Sequence, residues 1–307
     1  MNDKYLFSIP ECKKIKVIID SDVRNESDDQ FAIMHALMTP KFNIRGIIAT
    51  HFGHDRIKNS MEASWEELQK VLKYSGLENE VKAVKGSESW IKKEPGFFGK
   101  YTPYDNDGVR LIIKEAKACN DGEKLYVGVL GPMTNVASAL LLEPSIESKM
   151  IVVWNGGGTY PNGGPEFNLV NDIGAANYVL GSNVEIWQIP TKVYAMPRVG
   201  LAEMQYKISN CGEIGKYLFN QTLEFFELMK EYKDWPRAES LDICDLTIIG
   251  LLMEEHKYCY KFIQAPYISD DMYYHINTDN RPIRVYEDID SRYILEDFFC
   301  KLAINYR

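Results

Sequence analysis

The chain has 307 residues, of which 45% are hydrophobic and 26% are charged, and its formal net charge is −9. This composition is typical of a globular protein with enough chain for a large buried core. An acidic chain lacks the clustered basic surface that nucleic acids require, and no apolar run approaches the roughly 20 residues of a membrane span. The first residues also lack the basic and then apolar layout of a signal peptide. We therefore expect a cytoplasmic protein with neither a nucleic-acid nor a membrane partner.

Short β-branched runs alternate with longer amphipathic stretches as far as Pro190. The pattern predicts strands at 14–20, 44–50, 81–86, 124–131, 149–158 and 184–190. It predicts helices at 28–38, 61–76, 108–119, 133–144 and 171–181. Strands and helices that alternate in this way favour an α/β fold, with a mostly parallel, doubly wound sheet and helices on both faces.

Helices dominate the pattern after Pro190, at 213–232 and 245–259 and at the C-terminus. One short strand is predicted in this part, near the sequence IRVYEDI. Because we find no internal repeat and no linker composition, we predict a single domain over 1–307 with a helical C-terminal part. Trp65 and Trp187 lie in apolar periodic segments and are predicted to belong to the core. The six scattered cysteines lack the close spacing of a zinc site, which indicates reduced thiols.

The most informative segment is IIDSDVRNESDDQFAI, where a strand is predicted to end and a helix to begin. Asp20 and Asp22 are two residues apart on an extended segment, so their side chains point the same way. Asp28 and Asp29 begin the following helix. Residues 20–29 contain five acids and one base, so nearly half of the net charge lies in ten residues. Carboxylates that converge at the carboxyl end of a strand repel one another unless a hard cation such as Ca²⁺ or Mg²⁺ neutralises them.

Two other interpretations of this segment deserve comparison. Asp28 and Asp29 could serve only as acids that interact with a helix dipole, with Asp20 as a buried hydrogen-bonding residue. An apolar strand followed by D-x-D also opens phosphotransferases of the haloacid dehalogenase type. The immediate pair of aspartates at 28–29 is not part of that second pattern.

Further motifs follow in an order that one family shares. The chain resembles the nucleoside hydrolase (inosine–uridine preferring) family, in the variant with a longer aspartate loop. The family's Met in the central glycine turn is replaced here by Asn155. The matching segments are the four aspartates, LGPMTNVA at 130–137, NGGG at 155–158, EFN at 166–168, NDIGAA at 171–176 and the late aspartate of LDICDLTIIGLL.

The resemblance implies a Ca²⁺-dependent N-ribohydrolase. It implies that Asp22, Asp29, the backbone carbonyl of Thr134 and Asp245 hold the calcium, and that Asp22 is the general base toward water. The late ligand has an alternative in Asp242, one turn earlier. Calcium would also fix the ribose diol and lower the pKa of the attacking water.

The same resemblance implies a set of ribose-binding residues. Asp28, Asn162, Glu166 and Asn168 would bind the hydroxyl groups, and Asp20 would orient the acidic cluster from behind. Cleavage of an N-glycosidic bond passes through a positively charged, oxocarbenium-like sugar. A site rich in carboxylates stabilises that charge.

The chain departs from the family at the leaving base. Many members have a histidine just before the late aspartate, and here that residue is Cys244, a poor proton donor. We predict that His54, in the loop after the second strand, faces the base. Two alternatives are an intrinsically better leaving group and stacking by aromatic side chains from nearby loops: Trp90, Phe97, Phe98 and Tyr101.

The sequence thus predicts hydrolysis of a ribonucleoside to ribose and free base. A hydrolase of another ribosyl compound and a non-catalytic ribose- or calcium-binding protein remain as alternatives, with a haloacid dehalogenase-type phosphatase more distant. Family analogy implies a homodimer or a homotetramer.

Overall fold

An eight-stranded sheet forms the centre of the computed structural model, which describes residues 4–93, 100–232 and 238–307. In chain order its strands are β1 Ile15–Ser21, β2 Phe42–Ala49, β3 Ala83–Lys85, β4 Leu125–Val129, β5 Met150–Asn155, β6 Glu185–Ile189, β7 Tyr260–Gln264 and β8 Pro282–Tyr286. Their order across the sheet is β7-β8-β6-β5-β4-β1-β2-β3. All neighbours are parallel except β7, which pairs antiparallel with β8.

Strand β1 lies where the direction of winding reverses. The chain runs from β1 to β2 and β3 on one side and then passes to β4 on the other side of β1. Asp20 of β1 is opposite Val129 of β4, and the amide of Leu130 donates to the Asp20 carbonyl over 2.8 Å. In open α/β sheets such a reversal leaves a crevice at the carboxyl ends of the two strands. The topology therefore predicts the ligand site beside Asp20.

Helices cover both faces of the sheet. In chain order they are α1 Asp29–Leu37, α2 Ser60–Ser75, α3 Asp107–Lys117, α4 Thr134–Leu142, α5 Phe167–Asn171, α6 Ile173–Gly181, α7 Thr191–Tyr194, α8 Leu201–Lys207, α9 Gly212–Leu228, α10 Leu246–Glu254 and α11 Ser291–Tyr306. Alternation along β1 directs Val17 and Ile19 to one core and Ile18 to the other. The first core contains α1, α2, α9, α10 and α11, and the second contains α3, α4 and α6.

Smaller elements complete the described chain. Three short 3₁₀ helices lie at Glu11–Lys13, Pro144–Lys149 and Glu255–Lys257. Three two-stranded pairs join Lys92–Lys93 with Tyr101–Thr102, Arg198–Gly200 with Ser240–Asp242, and Tyr267–Ile268 with Tyr274–His275.

The predicted fold class is confirmed, and the strand and helix assignments before Pro190 differ from the structure mainly at their ends. Trp187 is buried, and Trp65 is partly buried against the same core, as expected. Strand β7 was not predicted, because an edge strand that is largely exposed lacks the apolar alternation that marks a strand. Within the described ranges, no helix combines the length and apolar character needed to cross a bilayer.

Candidate active site

A small acidic cavity opens at the carboxyl ends of the central strands. Asp22 follows β1, Leu130 follows β4 and Asn155 ends β5, and all three line it. None of the lining residues in the described part of the chain is basic. Six carboxylate side chains line the cavity: Asp22, Glu26, Asp28, Asp29, Glu166 and Asp245.

Three of these carboxylates form a buried triad. Oxygen atoms of Asp28, Asp29 and Asp245 lie within 4.8 Å of one another, and each residue is at most 5% exposed. Asp28 and Asp29 stand at the start of α1, whereas Asp245 immediately precedes α10. The backbone amide of Asp245 donates to Oδ2 of Asp28 over 3.2 Å, and the Ser21 hydroxyl donates to Oδ1 of Asp29. Two segments more than 200 residues apart thus meet at one point.

Burial disfavours the ionised forms of these acids and raises their pKa values. Burial, and after it the neighbouring Asp28, raises the pKa of Asp29 to about 8. Burial raises the pKa of Asp28 to about 6 and, reinforced by nearby aspartates, holds the pKa values of Asp22 and Asp245 well above the ordinary range. A divalent cation would remove this penalty by neutralising the ionised oxygens. A donor set made of carboxylate oxygens suits a hard cation, so the triad could hold a metal ion.

Unpartnered carboxylate oxygens of Asp20 and Asp22 also fit a bound cation. Oδ2 of each is buried and receives no hydrogen bond from the described residues. Oδ1 of Asp20 accepts a hydrogen bond from Nδ2 of Asn135 over 2.9 Å, while burial raises the pKa of Asp20 to about 7. Asp22 lies against Gly131, where a Cβ atom would stand 2.9 Å from the carboxylate. Glycine at 131 therefore makes room for Asp22.

Glu166 is held in place by four hydrogen-bond donors. Its Oε2 accepts from the amides of Gly157 and Leu169 over 2.8 and 2.9 Å, and its Oε1 accepts from the amide of Asn168 over 3.0 Å. The fourth donor is the hydroxyl of Tyr194, 2.7 Å from Oε1. Because Glu166 caps the N-terminus of α5, its negative charge also meets the positive end of that short helix.

Tyr194 lines the same cavity, although no sequence motif marks it. Burial, and after it the charge of Glu166, holds the pKa of Tyr194 well above its ordinary value, so the hydroxyl remains a donor. The segment IPTKVY follows the carboxyl end of β6 directly. Since ligand-binding residues of open α/β sheets lie at such ends, this position was the available signal.

Asn155 and Asn168 form hydrogen bonds that join separate segments around the cavity. Nδ2 of Asn155 donates to Oδ1 of Asp245 over 3.2 Å, and its Oδ1 accepts from the Thr247 hydroxyl over 2.9 Å. Nδ2 of Asn168 donates to the carbonyls of Leu130 and Asn155 over 2.6 and 2.9 Å. The amide at 155, where the family has a methionine, therefore orients a carboxylate of the triad.

Thr134 and Asn162 lie outside the residues that line the acidic cavity. The Thr134 hydroxyl donates to Oδ2 of Asp172 over 2.6 Å and stands 2.9 Å from Nε2 of His51. Asn162 is exposed on a turn, and its carbonyl accepts from the amide of Tyr274 over 2.9 Å. The side chains of both residues are thus directed to other parts of the fold or to solvent.

His54 is also outside the acidic cavity. It is exposed, with Nδ1 at 2.9 Å from the Lys58 carbonyl and Nε2 at 3.0 Å from the Ser89 hydroxyl. Its ring meets the edge of Trp90, which is half exposed. Tyr101 is buried and lines a groove beside α6, not the acidic cavity. Phe97 and Phe98 lie outside the described residues.

The late aspartate of the triad is Asp245. Asp242 instead lies on a short strand and forms an ion pair with Arg198, whose Nε is 2.6 Å from Oδ1. Cys244 lines the cavity between them, and burial keeps the pKa of its thiol well above its ordinary value. A thiol in this state is neither a nucleophile nor a strong acid.

A second cavity, of about 590 Å³, adjoins the acidic one. We call it the aromatic cavity, because Phe52, Phe225 and Tyr232 line it. The two cavities share Asn25 and Glu26, in the loop between β1 and α1. One compartment is therefore small and acidic, and its neighbour is large, partly apolar and suited to a flat ring.

Comparison with known proteins is consistent with this geometry. A pyrimidine-specific ribonucleoside hydrolase of Escherichia coli, RihB, is 27% identical over 259 residues, which cover 78% of this chain and 79% of that protein. A plant nucleoside hydrolase, PpNRh1, has the same fold, with a TM-score of 0.74 at 17% identity over 94% of this chain and 99% of the other. The purine-preferring ribonucleoside hydrolase of Gardnerella vaginalis also gives a TM-score of 0.74, at 19% identity over 94% and 98% of the two chains.

At these identities the two structural likenesses concern the fold. The profile of the inosine-uridine preferring nucleoside hydrolases, however, matches residues 17–291, which is most of the chain. This match includes β1 with its aspartates, the cavity residues and the segment that carries Asp245. The chain therefore belongs to the inosine-uridine preferring nucleoside hydrolase family and is a hydrolase that acts on N-glycosyl compounds.

Proposed function

We propose that this protein hydrolyses ribonucleosides to ribose and free base with the help of a bound Ca²⁺ ion. The observation that carries the proposal is the buried acidic triad inside a cavity lined by six carboxylates, directly beside an aromatic cavity. The names of the relatives agree with it, since one is a pyrimidine-specific and another a purine-preferring ribonucleoside hydrolase.

The geometry supports Asp22, Asp29 and Asp245 as metal ligands. Oδ2 of Asp28 already accepts the amide of Asp245, whereas Oδ2 of Asp22 has no partner among the described residues. We therefore assign Asp28 to the ribose and Asp22 to the ion. The carbonyl of Thr134 remains a predicted fourth ligand. When bound, a divalent cation would neutralise the carboxylates and lower the pKa of water beside them.

Asp22 is the proposed general base. Its unpartnered Oδ2 is free to accept a proton from a water molecule in the cavity. Asp28, Glu166 and Asn168 would hold the ribose hydroxyls, and the rigid support of Glu166 by four donors suits that task. Negative charge on several sides of the sugar would stabilise the positive charge that develops at its anomeric carbon.

The aromatic cavity is the proposed site of the base. A nucleoside whose ribose occupies the acidic cavity would project its ring past Asn25 and Glu26, which belong to both cavities. Phe52, Phe225 and Tyr232 offer apolar contact there. This assignment moves the base away from the exposed His54, which the sequence analysis had placed beside it.

The test is the release of reducing sugar from a panel of purine and pyrimidine ribonucleosides, with added Ca²⁺ and after chelation. We expect turnover that Ca²⁺ restores after chelation, and a loss of at least about 10²-fold in Asp22→Asn, in line with the loss of a general base. Calcium binding without cleavage of any ribosyl compound would favour the binding-protein alternative. Turnover of p-nitrophenyl phosphate instead would favour the phosphatase.

A further inference from the structure

We propose that Arg56 stabilises the negative charge that forms on the departing base. The inference rests on the proposed function. Arg56 belongs to the loop between β2 and α2 and lines the aromatic cavity. Its guanidinium lies 4.5 Å from the ring centroid of Phe167, and Phe167 lines the acidic cavity. Arg56 thus stands at the boundary between the two compartments.

Hydrogen bonds hold the guanidinium at this boundary. One terminal nitrogen donates to the carbonyl and to Oδ1 of Asn25, over 3.1 and 2.8 Å, and stands 4.0 Å from Oε1 of Glu26. Asn25 and Glu26 are the residues that the cavities share. Because these contacts use one end of the planar group, its other N–H donors remain available to a ligand in the aromatic cavity. The side chain is 35% exposed, so a ligand can reach it.

The aromatic cavity has guanidinium groups, which the described lining of the acidic cavity lacks. The described lining of the acidic cavity has six carboxylates and no basic residue, whereas the lining of the aromatic cavity contains two arginines, Arg24 and Arg56, beside the acids Glu26, Asp55 and Glu224. The C1′–N bond breaks heterolytically, with its electron pair passing to the base nitrogen and positive charge developing on the sugar. Negative surroundings favour the sugar cation, and a fixed guanidinium favours the anionic base.

The remaining steps balance without a further reactant. Water adds its oxygen to C1′ and gives one proton to the proposed base Asp22, and the departed base takes a proton from solvent. Arg56 keeps its own proton throughout, since a guanidinium stays charged at physiological pH. It therefore acts as an electrostatic donor in place of a general acid.

Other candidates for this task are less well placed. His54 is two residues away on the same loop, but its two ring nitrogens contact the Lys58 carbonyl and the Ser89 hydroxyl outside the acidic cavity. The guanidinium of Arg24 is 3.7 Å from the buried carboxylate of Glu67, which draws it toward α2. Cys244 is a buried thiol with a raised pKa. Arg56, by contrast, donates to Asn25, which lines both cavities, and its guanidinium lies over Phe167 of the acidic cavity.

The test compares leaving groups of different quality in the full-length, calcium-loaded protein. Inosine and uridine lose poor leaving groups, whereas p-nitrophenyl β-D-ribofuranoside releases a stable phenolate that needs little help. We expect Arg56→Gln to lower kcat/KM for the nucleosides about 10²-fold, as for the loss of one preorganised donor. It should leave kcat/KM for the phenyl riboside within about threefold of the wild-type value. For Arg56→Lys, kcat/KM for the nucleosides should lie between the values of the wild type and of Arg56→Gln, because lysine keeps the charge but lacks the planar guanidinium donors.

Two further variants make the result decisive. Arg45→Gln removes an arginine of nearly the same exposure, 36%, which forms an ion pair with Glu115 elsewhere on the sheet. This variant should not lower kcat/KM for one type of substrate more than for the other. Equal losses on both substrate types in Arg56→Gln would overturn the proposal, as would a selective loss in His54→Ala with none in Arg56→Gln. If the wild-type protein cleaves neither type of riboside, the proposed function itself fails, which is a separate outcome.

Discussion

The hydroxyl of Tyr194 donates a hydrogen bond to Oε1 of Glu166 over 2.7 Å at the wall of the acidic cavity. Glu166 follows β5 in the chain and Tyr194 follows β6, so the bond joins the ends of two neighbouring parallel strands. With three backbone amides on the same carboxylate, it leaves Glu166 a single orientation. We infer that Tyr194 is a positioning residue for Glu166, the carboxylate proposed to bind ribose.

Removing only this hydroxyl should weaken catalysis without unfolding the protein. We expect Tyr194→Phe to lower kcat/KM for ribonucleosides about tenfold, which corresponds to about 1.4 kcal/mol, since hydrogen bonds to charged groups contribute about 1.5–3 kcal/mol. Steady-state kinetics with 5′-deoxy, 3′-deoxy and 2′-deoxy nucleosides locate the effect, because the penalty should shrink for the analogue that lacks the hydroxyl bound by Glu166. Tyr160→Phe is the control: that hydroxyl donates to Oε1 of Gln188 instead. A uniform loss across all analogues would argue for a general structural role.

Asn155 should govern metal affinity through Asp245. Its amide donates to Oδ1 of Asp245 over 3.2 Å, and outer contacts of this kind typically change metal affinity by about 10–100-fold. Isothermal titration of Ca²⁺ into Asn155→Leu should therefore give a weaker Kd in that range. Asn177→Leu, which loses backbone contacts at Ile268 instead, should bind Ca²⁺ like the wild type. Unchanged affinity in Asn155→Leu would separate this amide from the metal site.

Gly131 should tolerate no side chain. A Cβ atom there would lie 2.9 Å from Cγ and Oδ1 of Asp22, closer than such contacts occur, so the carboxylate must move. We expect Gly131→Ala to lower kcat by at least about 10²-fold, because displacement of a reacting group by about 1 Å has that effect. Gly181→Ala is the control, since the nearest atom to its Cβ is 3.6 Å away. Wild-type turnover in Gly131→Ala would contradict the prediction that a Cβ atom at this position displaces the Asp22 carboxylate.

Without a bound metal, the free energy of unfolding should decrease as pH rises through neutrality. Burial raises the pKa of Asp20 to about 7 and that of Asp29 to about 8, both from 3.8. Between the unfolded and folded values, the folded state binds more protons than the unfolded chain, so the free energy of unfolding declines as pH rises. The buried His35 and His51, with pKa values lowered to about 4 and about 3, have the opposite effect, but it is complete above their unfolded value of 6.5.

The clear window is therefore pH 6.5 to 8. In the chelated protein we expect the free energy of unfolding to fall across this window by up to about 1.4 kcal/mol per pH unit for each proton involved. Tm should fall with it and level off above the window. Saturating Ca²⁺ should abolish the decline, because the ion favours the ionised carboxylates. Differential scanning calorimetry at fixed ionic strength measures both curves. Identical curves with and without Ca²⁺ would contradict the assignment of the acids to a metal.

Much of the fold could be predicted from residue patterns. Buried parallel strands such as β1 and β4 are continuous apolar runs, and the helices between them repeat apolar residues at helical spacing. The residue pattern does not predict strand β7, because its side chains are mostly exposed and its partner β8 lies nearly 20 residues further along the chain. Pairing between such segments depends on the sheet edge that is available, which a local pattern does not contain.

The acidic half of the site could also be predicted from residue patterns. Asp22, Asp28 and Asp29 follow one strand within ten residues, and Asp245 matched a family motif. The proposed site of the base depends more on tertiary structure, since the loop after β2 contains both His54 and Arg56 and sequence chemistry favours the histidine. The path of the loop instead directs His54 to Ser89 and Arg56 to Asn25.

Residue patterns are enough to predict the class of fold and the concentration of negative charge at the end of β1, because both depend on residues close together in the chain. Three contacts around the cavities depend instead on tertiary packing: Tyr194 with Glu166, Asn155 with Asp245, and Arg56 with Asn25. These contacts join the ends of different strands and loops. Their geometry follows from the order of strands in the sheet and from the packing of loops above it, to which the whole chain contributes.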